Sequence, residues 1–399
     1  MRSFQFVSIV IFLSVYIFIS YFNTVTLKNL FQAQKQKLFQ FIHGSYSLLL
    51  LLIFIFLYIY PNKPRDASNY SFYFYFNAIL FIDFFTKISV FIAGIISIFV
   101  KKSKTLIFAA LIIASGFGFV MIYGLIFGNK QVQVSKIDIE YSTLPAEFNG
   151  FKITHISDIH LGSFRKTNTV LKKAAIRMEK VKPDLIIFTG DLVNSFAHET
   201  DGWETVFNKI SSIAESYSIL GNHDYGNYTR WENDDAKTDN LNEIISSHQR
   251  FGFQILRNQN TVIKSGNDSI FLMGVENWGH APFPQYANWE KASEGIPDNA
   301  FTILMSHDPA LWESQIKGKK NINLTLSGHT HGLQWGVKLA GITFSLSYFT
   351  RKNWNGVYRH ENSFLNVNTG LGTVGIPWRI DMPAEISVIT LKRGKVDRE

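Results

Sequence analysis

Nine side chains with metal-ligating or proton-transfer chemistry fall just beyond short apolar runs in this 399-residue chain. Ile153-Thr154-His155-Ile156-Ser157 leads into Asp158 and His160, and Leu185 to Gly190 leads into Asp191. Ile219-Leu220-Gly221 leads into Asn222, His223 and Asp224, Thr302 to Ser306 into His307, and Leu324 to Gly328 into His329 and His331. Carboxylates, neutral imidazoles and one amide oxygen suit Mn, Fe or Zn better than Ca or Mg, which prefer shells of oxygen alone. Asp-x-His and His-x-His set alternate side chains on one side of an extended chain, so each pair can reach one pocket. Two such ions held about 3.5–4 Å apart can clamp the attacking and leaving oxygens of a phosphoryl displacement.

Taken singly, these residues say little. A lone histidine at a strand end is usually a core or surface residue, a lone Gly-Asp is uninformative, and Gly221-Asn222-His223 reads equally well as a turn. The ordered set carries the argument. The apolar runs are predicted strands, with helices expected at Thr167–Val181, near Trp203–Glu215 and near Leu241–Phe251 between them. Such β-α-β alternation predicts an α/β domain with a buried sheet. Ligands of open α/β sheets bind in the crevice at the carboxyl ends of strands, where all of these residues fall. Val132, Val134, Ile137 and Ile139 open the domain in alternating registers. Strands are expected at Phe151–Ser157, Asp184–Thr189, Tyr217–Leu220, Phe253–Leu256, Ser269–Val275, Phe301–Met305, Ile322–Leu326, Ile342–Leu346, Phe364–Val367 and Glu385–Leu391. Gly190, Gly221 and Gly328 permit tight turns and close backbone approach beside the ligands.

Asp158-x-His160, Gly190-Asp191, Gly221-Asn222-His223-Asp224, His307 and Gly328-His329-x-His331 together resemble the calcineurin-like metallophosphoesterases over roughly residues 131–395. A membrane-associated bacterial branch is the most similar, sharing Ser157 to Gly162 and a late segment, Thr369-Gly370-Leu371-Gly372-Thr373, followed by Pro377, Arg379 and Pro383 to Ile386. Many of that branch have Gly-Gly-Gln after the His-x-His, where this chain has Gly332-Leu333-Gln334. The resemblance implies a four-layer α/β/β/α sandwich. It implies that Asp158, His160 and His331 hold one metal, that Asp191 bridges, and that Asn222, His307 and His329 complete the second site. It further implies that His223 protonates the leaving oxygen while a metal-bridging hydroxide attacks phosphorus in line. Asp224 is expected to orient His223.

The N-terminal third is of another kind. Residues 1–128 contain ten Lys/Arg and two acidic residues, so the chain's net +8 resides there. Apolar stretches near 4–22, 41–60, 76–100 and 105–128 approach the roughly 20 residues needed to cross a bilayer. A transmembrane domain of about four helices (1–128) is therefore expected to precede the catalytic domain (129–399). No small-residue cleavage site follows the first stretch at Tyr21 to Thr24, so an uncleaved span is expected. Asp83 and Lys87 share a helix face and can pair, either as a functional intramembrane charge or as an ion pair near a membrane interface. Ala110/Ala114 and Gly124/Gly128 have spacings suited to helix packing. Lys28, Lys35, Lys37, Lys101, Lys102 and Lys104 fall in two loops on one side, against Arg2, Lys63, Arg65 and Lys130 on the other. The positive-inside rule then places both termini and the catalytic domain outside the cytoplasm.

Basic charge distributed between apolar spans orients a membrane protein, so nucleic acid is not an expected partner. Without cysteine there are no disulfides and no thiolate chemistry. The expected partners are the lipid bilayer and a phosphorylated small molecule or lipid. The leading expectation is a membrane-anchored phosphoester hydrolase with two divalent or trivalent transition-metal ions, Mn before Fe or Zn. The alternative is a catalytically silent metal-binding scaffold or sensor on the same anchor. Trp278, Trp289, Trp312, Trp335, Trp354 and Trp378 are either interfacial aromatics or core residues.

Overall fold

Leu185, Ile186, Ile187 and Phe188 form an apolar run because their strand is covered on both faces. In the computed structural model, Leu185 and Ile187 enter one core and Ile186 and Phe188 another. The structure describes residues 2–58, 70–100, 103–164, 169–279, 283–318, 322–339 and 342–394. Residues 59–60 of the second expected span, the loop cations Lys63, Arg65, Lys101 and Lys102, and Thr167 at an expected helix start lie outside them.

Four long helices come first: α1 (Arg2–Lys28), α2 (Ala33–Tyr58), α3 (Tyr70–Phe99) and α4 (Ser103–Ile126). All four are long and apolar enough to cross a membrane. The described residues divide into two compact units, the helices up to residue 123 and a second unit that includes 124–394. Within the helical unit, Tyr16, Leu50, Leu51, Leu57, Phe76 and Leu80 form a core. Beside it, Lys87 Nζ donates to Asp83 Oδ2 at 2.7 Å, to Tyr16 Oη at 2.7 Å and to Ser47 Oγ at 3.1 Å. The Tyr16 hydroxyl in turn donates to Asp83 Oδ2 at 2.6 Å, closing a buried cluster drawn from α1, α2 and α3. Asp83 is at the middle of the 30-residue α3. At 1.5 Å per residue it is about 20 Å from the helix start, so the pair belongs to the helix centre and not to its ends.

The strands of the second unit are, in chain order, β1 (Val132–Tyr141), β2 (Lys152–Ile156), β3 (Leu185–Phe188), β4 (Glu215–Ser218), β5 (Gln254–Ile255), β6 (Gln259–Ser265), β7 (Asp268–Gly274), β8 (Thr302–Met305), β9 (Leu324–Ser327), β10 (Val337–Leu339), β11 (Ile342–Phe344), β12 (Gly356–His360), β13 (Ser363–Val367) and β14 (Ala384–Arg393). Two six-stranded sheets form, ordered β1-β14-β2-β3-β4-β5 and β12-β13-β9-β8-β7-β6, with β10-β11 a separate hairpin. Ile153, Leu185, Ile187 and Tyr217 of the first sheet meet Ile270, Leu272, Ile303 and Leu324 of the second. Helices α5 (Val170–Val181), α6 (Glu204–Ser211) and α7 (Asp234–Arg250) cover the outer face of the first sheet. In α5 the apolar residues Val170, Leu171, Ala174, Ala175 and Met178 recur at helical spacing and are buried. Over the second sheet, a wide helical turn at Trp312–Ile316 and the short helix Trp289–Ala292 pack on Met273, Leu304 and Leu365. The result is the α/β/β/α layering, with a thin fourth layer.

Gly124 and Gly128 serve a different contact from the one their spacing suggests. A Cβ on Gly128 would fall 1.9 Å from the Arg379 carbonyl oxygen, and one on Gly124 2.5 Å from Ile380. These glycines admit the Arg379 backbone and the Ile380 side chain, not a neighbouring helix.

Candidate metal centre

Parallel pairing of β2, β3 and β4, and of β8 and β9, points the carboxyl ends of each set the same way. The loops that leave those ends then bond to one another. The Asp158 amide donates to the Gly190 carbonyl at 2.9 Å, the Ile159 amide to that of Asp191 at 2.8 Å, and the Gly328 amide to that of His307 at 3.0 Å. Approach this close requires glycine. A Cβ on Gly221 would lie 2.2 Å from Asp191 Oδ1, and one on Gly328 2.2 Å from Asp158 Oδ2. Several ligands themselves occupy left-handed backbone: Asp158 (φ 51°), His160 (50°), Asp191 (59°), His329 (72°) and His331 (51°). Non-glycine residues there carry about 1–3 kcal/mol of strain each, and such strain concentrates at functional sites.

All seven expected ligands come together. His160 Nε2 faces His331 Nε2 at 3.1 Å, with Asp158 Oδ1 3.3 Å from His331 Nε2. Asp191 Oδ2 lies 3.5 Å from His160 Nε2 and 3.3 Å from His307 Nε2, between two clusters. Asn222 Oδ1 faces His307 Nε2 at 2.9 Å and His329 Nδ1 at 2.8 Å. The His307 Nδ1 is 2.7 Å from the Thr189 carbonyl. A carbonyl only accepts, so Nδ1 carries a hydrogen and Nε2 is the ring atom that faces Asn222 and Asp191. Three mutually close groups of ligand atoms result: Asp158/His160/His331, His160/Asp191/His223 and Asp158/Asp191/His307. Asn222 and His329 join through the Asn222 amide oxygen.

The electrostatics are those of a site built for cations. Burial pushes His160 down to about 3 and His329 to about 4, leaving neutral imidazole ligands. Burial opposes ionisation of Asp191, but His307, His223 and His160 together hold its carboxyl well below the usual range. Burial also works against a charged His307, yet Asp191 and Asp158 drive it up to about 10. An imidazolium there answers the negative charge of buried carboxylates, which a metal cation answers more strongly. Lone pairs of nitrogen and oxygen converging from several sides, with few protons among them, fit transition-metal ions.

Residues 151–333 match the family model described as calcineurin-like phosphoesterase. The second unit thus carries a region similar to the calcineurin-like phosphoesterases. Its relatives include the zebrafish (Danio rerio) "transmembrane protein with metallophosphoesterase domain", 29% identical over 68% of this chain and 60% of that one. The bovine (Bos taurus) protein of the same name matches at 29% over the same shares. The uncharacterized metallophosphoesterase YkuE of Bacillus subtilis is 29% identical over 66% of this chain and 86% of its own. The match therefore spans about 60% of the length of the two vertebrate relatives.

Around the ligands, the phosphoesterase domain has supports that the sequence does not announce. Asp224 does not orient His223. Its carboxylate instead accepts from the amides of Gly221, Asp191, Leu192 and Val193, all within 3.2 Å, and so holds the Asp191 loop. His223 is oriented by the Asn194 carbonyl, 2.8 Å from its Nδ1, and stacks on Tyr228 at 4.3 Å between centroids. The Asn194 loop is fixed by the buried Glu199, which accepts from the amides of Gly162, Asn194, Ser195 and Phe196. No sequence signal marks Glu199, since one acidic residue in a polar segment looks like surface. Arg379, fully buried, donates to the carbonyls of Thr369, Gly370, Gly372 and Met382. The Gly-rich segment thus held bonds back to Ser157 and Asp158 through the amides of Leu371 and Gly372. Trp312, Trp354 and Trp378 are buried and Trp278, Trp289 and Trp335 half-buried, so the six are core or rim residues.

The loop after His331 makes the departure at Leu333 a strained one. Gly332, Leu333 and Gln334 all have positive φ, at 55°, 55° and 57°. Leucine is strained there and glycine is not. Leu333→Gly is therefore expected to raise stability by about 1 kcal/mol, after the entropy glycine adds to the unfolded chain is deducted. The check is the thermal midpoint of the tryptophan fluorescence transition, and a lower midpoint would contradict the strain argument.

Beside Asn222 and His329 opens a cavity of about 200 Å³, lined also by Tyr228, Asn277, Phe283 and Arg351. Among the described residues, none forms an ion pair with the Arg351 guanidinium.

Proposed function

We propose that the chain is a membrane-anchored hydrolase of phosphoester bonds that uses two transition-metal ions, manganese before iron or zinc. Its substrate is a mono-, di- or pyrophosphate ester on a lipid-linked or cell-envelope molecule, and the loop charges favour an extracytoplasmic site. The observation that carries the reading is Asp191 Oδ2, set 3.5 and 3.3 Å from imidazole nitrogens of two ligand clusters, where one carboxylate can serve two ions. Asp158, His160 and His331 would hold one ion, and Asn222, His307 and His329 the other. When bound, the metal pair supplies activated water as the nucleophile and neutralises charge on the phosphoryl oxygens.

The chain's own contribution to proton transfer falls to His223. With Nδ1–H committed to the Asn194 carbonyl, Nε2 is the atom left to hold a proton for the departing oxygen. Tyr228, stacked on that ring and hydrogen-bonded by Asn222 Nδ2 at 2.7 Å, keeps it aligned.

Purified full-length protein is expected to hydrolyse an aryl phosphodiester only with added metal, losing turnover on chelation and regaining it with Mn. A general acid matters most when the leaving group is basic. His223→Asn should therefore leave p-nitrophenyl esters nearly unchanged and slow alkyl esters by about 10²-fold or more. Equal loss on both would remove His223 from the acid role, and metal-independent turnover would sink the proposal.

A further inference from the structure

We propose that the β10-β11 hairpin and the short helix Ser347–Thr350 form a bilayer-docking surface of the phosphoesterase domain, seated in the headgroup region of an anionic lipid membrane. The hairpin belongs to neither large sheet. Leu339 is 76% exposed, Phe349 72%, Tyr348 68% and Leu346 52%. Six of the eleven exposed large hydrophobics described beyond Val132 fall between Val337 and Phe349, while the rest are scattered along the chain. The rings are continuous, with Phe349 5.9 Å from Phe344 and 5.6 Å from Tyr348. Single exposed apolar residues need no explanation, but a contiguous patch marks an interaction site.

Two observations select a bilayer as the occupant. The sequence has no acidic residue between Glu313 and Glu361, while Lys338 and Arg351 flank the apolar patch. Apolar and aromatic residues flanked by basic ones suit insertion beside anionic headgroups. The root of the hairpin is also tied to the end of the last apolar helix. The Gly336 amide donates to the Ile380 carbonyl at 2.8 Å, the Arg379 amide reaches the Gly124 carbonyl at 3.4 Å, and Asn129 Nδ2 donates to Pro377 at 2.9 Å. The patch thus hangs from the segment that grips the chain where it leaves α4.

Docking would also select substrate, which rests on the hydrolase reading above. Arg351 follows the patch directly and lines the cavity beside Asn222 and His329. A phospholipid could keep its acyl chains in the bilayer and bring its headgroup phosphate to that guanidinium.

The chain has no cysteine, so single cysteines can be placed and labelled without background. Leu339→Cys, Phe349→Cys and the control Val262→Cys, exposed on β6, would each carry bimane in full-length protein. Each is reconstituted in phosphatidylcholine/phosphatidylglycerol vesicles with and without brominated acyl chains. Emission at 339 and 349 is expected to fall about twofold or more with brominated lipid while 262 is unchanged. No quenching at 339 and 349 overturns the proposal, as does a bimane signal that responds only to protein concentration, which would mean a second copy. In a parallel arm, Leu339→Glu/Phe349→Glu should cut hydrolysis of vesicle-borne phosphatidylglycerol about tenfold and leave a soluble aryl phosphodiester unchanged. Equal loss on both substrates counts against docking. If the unsubstituted protein cleaves neither, the hydrolase reading fails, while the bimane experiment still decides the docking surface.

Discussion

Asp191→Asn is expected to lower metal-dependent turnover of an aryl phosphodiester by ~10³-fold or more while the protein stays folded. Asp191 Oδ2 is the oxygen between the two ligand clusters, and the other oxygen is already engaged by the His223 amide at 2.8 Å. An amide in its place keeps the size but offers a neutral oxygen and an N–H₂ that points donors where lone pairs are needed. The metal content measured on purified protein should fall from two ions per chain to one or none. Stability is expected to change less than activity, because removing this carboxylate relieves its repulsion with the buried Asp158 and Asp224 even as His307 loses its partner. His307 should then return from about 10 towards neutral imidazole values, detectable by NMR titration of the metal-free variant. His329→Ala should give a similar loss of turnover by a different route, emptying only the Asn222/His307 side. Retained turnover and unchanged metal content in the Asp191 variant would mean that the clusters do not hold a bridged pair.

The site was legible because chemistry and punctuation coincide. An apolar run, a glycine and then a carboxylate or imidazole states both where a strand ends and what its loop presents. The spans were legible for a similar reason, as length and apolarity are properties of the sequence alone. Where the structure departs, the cause lies in partners distant along the chain. β6 (Gln259–Ser265) and β12 (Gly356–His360) are edge strands of the second sheet, and their polar composition hides them. Helix α7 begins at Asp234, capped by Asn233 Oδ1 accepting from the Ala236 amide, and not at Leu241 where its apolar spacing begins. Its first turns face water, so periodicity cannot reveal them. Asp224 sits next to His223, but its carboxylate turns to backbone amides 31–33 residues away. Gly124 and Gly128 have a helix-packing spacing, yet what needs their missing side chains is the Ile380 side chain and the Arg379 backbone.

The second large effect is expected in the helical unit. Lys87→Met leaves the Asp83 carboxylate without its counter-ion, with the Tyr16 hydroxyl still donating to it. Removing one partner of a buried pair costs about 3–5 kcal/mol, because the other charge remains without its counter-ion. Replacing both is far milder, so Asp83→Asn/Lys87→Met should recover most of the loss. The two units can be followed separately, since all eight tryptophans lie in the second unit and none in the four helices. In detergent, the far-ultraviolet helix transition of Lys87→Met should shift down by several degrees or more, with the tryptophan transition nearly unmoved. Tyr16→Phe should give a smaller shift in the same direction, because it removes a neutral hydroxyl that accepts from Lys87 and donates to Asp83 but leaves the ion pair in place. If the double variant is as unstable as the single one, the cluster contributes by its shape and hydrogen bonds, and the buried-charge account is wrong. If neither variant shifts, Asp83 and Lys87 are solvated in the free protein, and the closed cluster at the centre of α3 is not their resting arrangement.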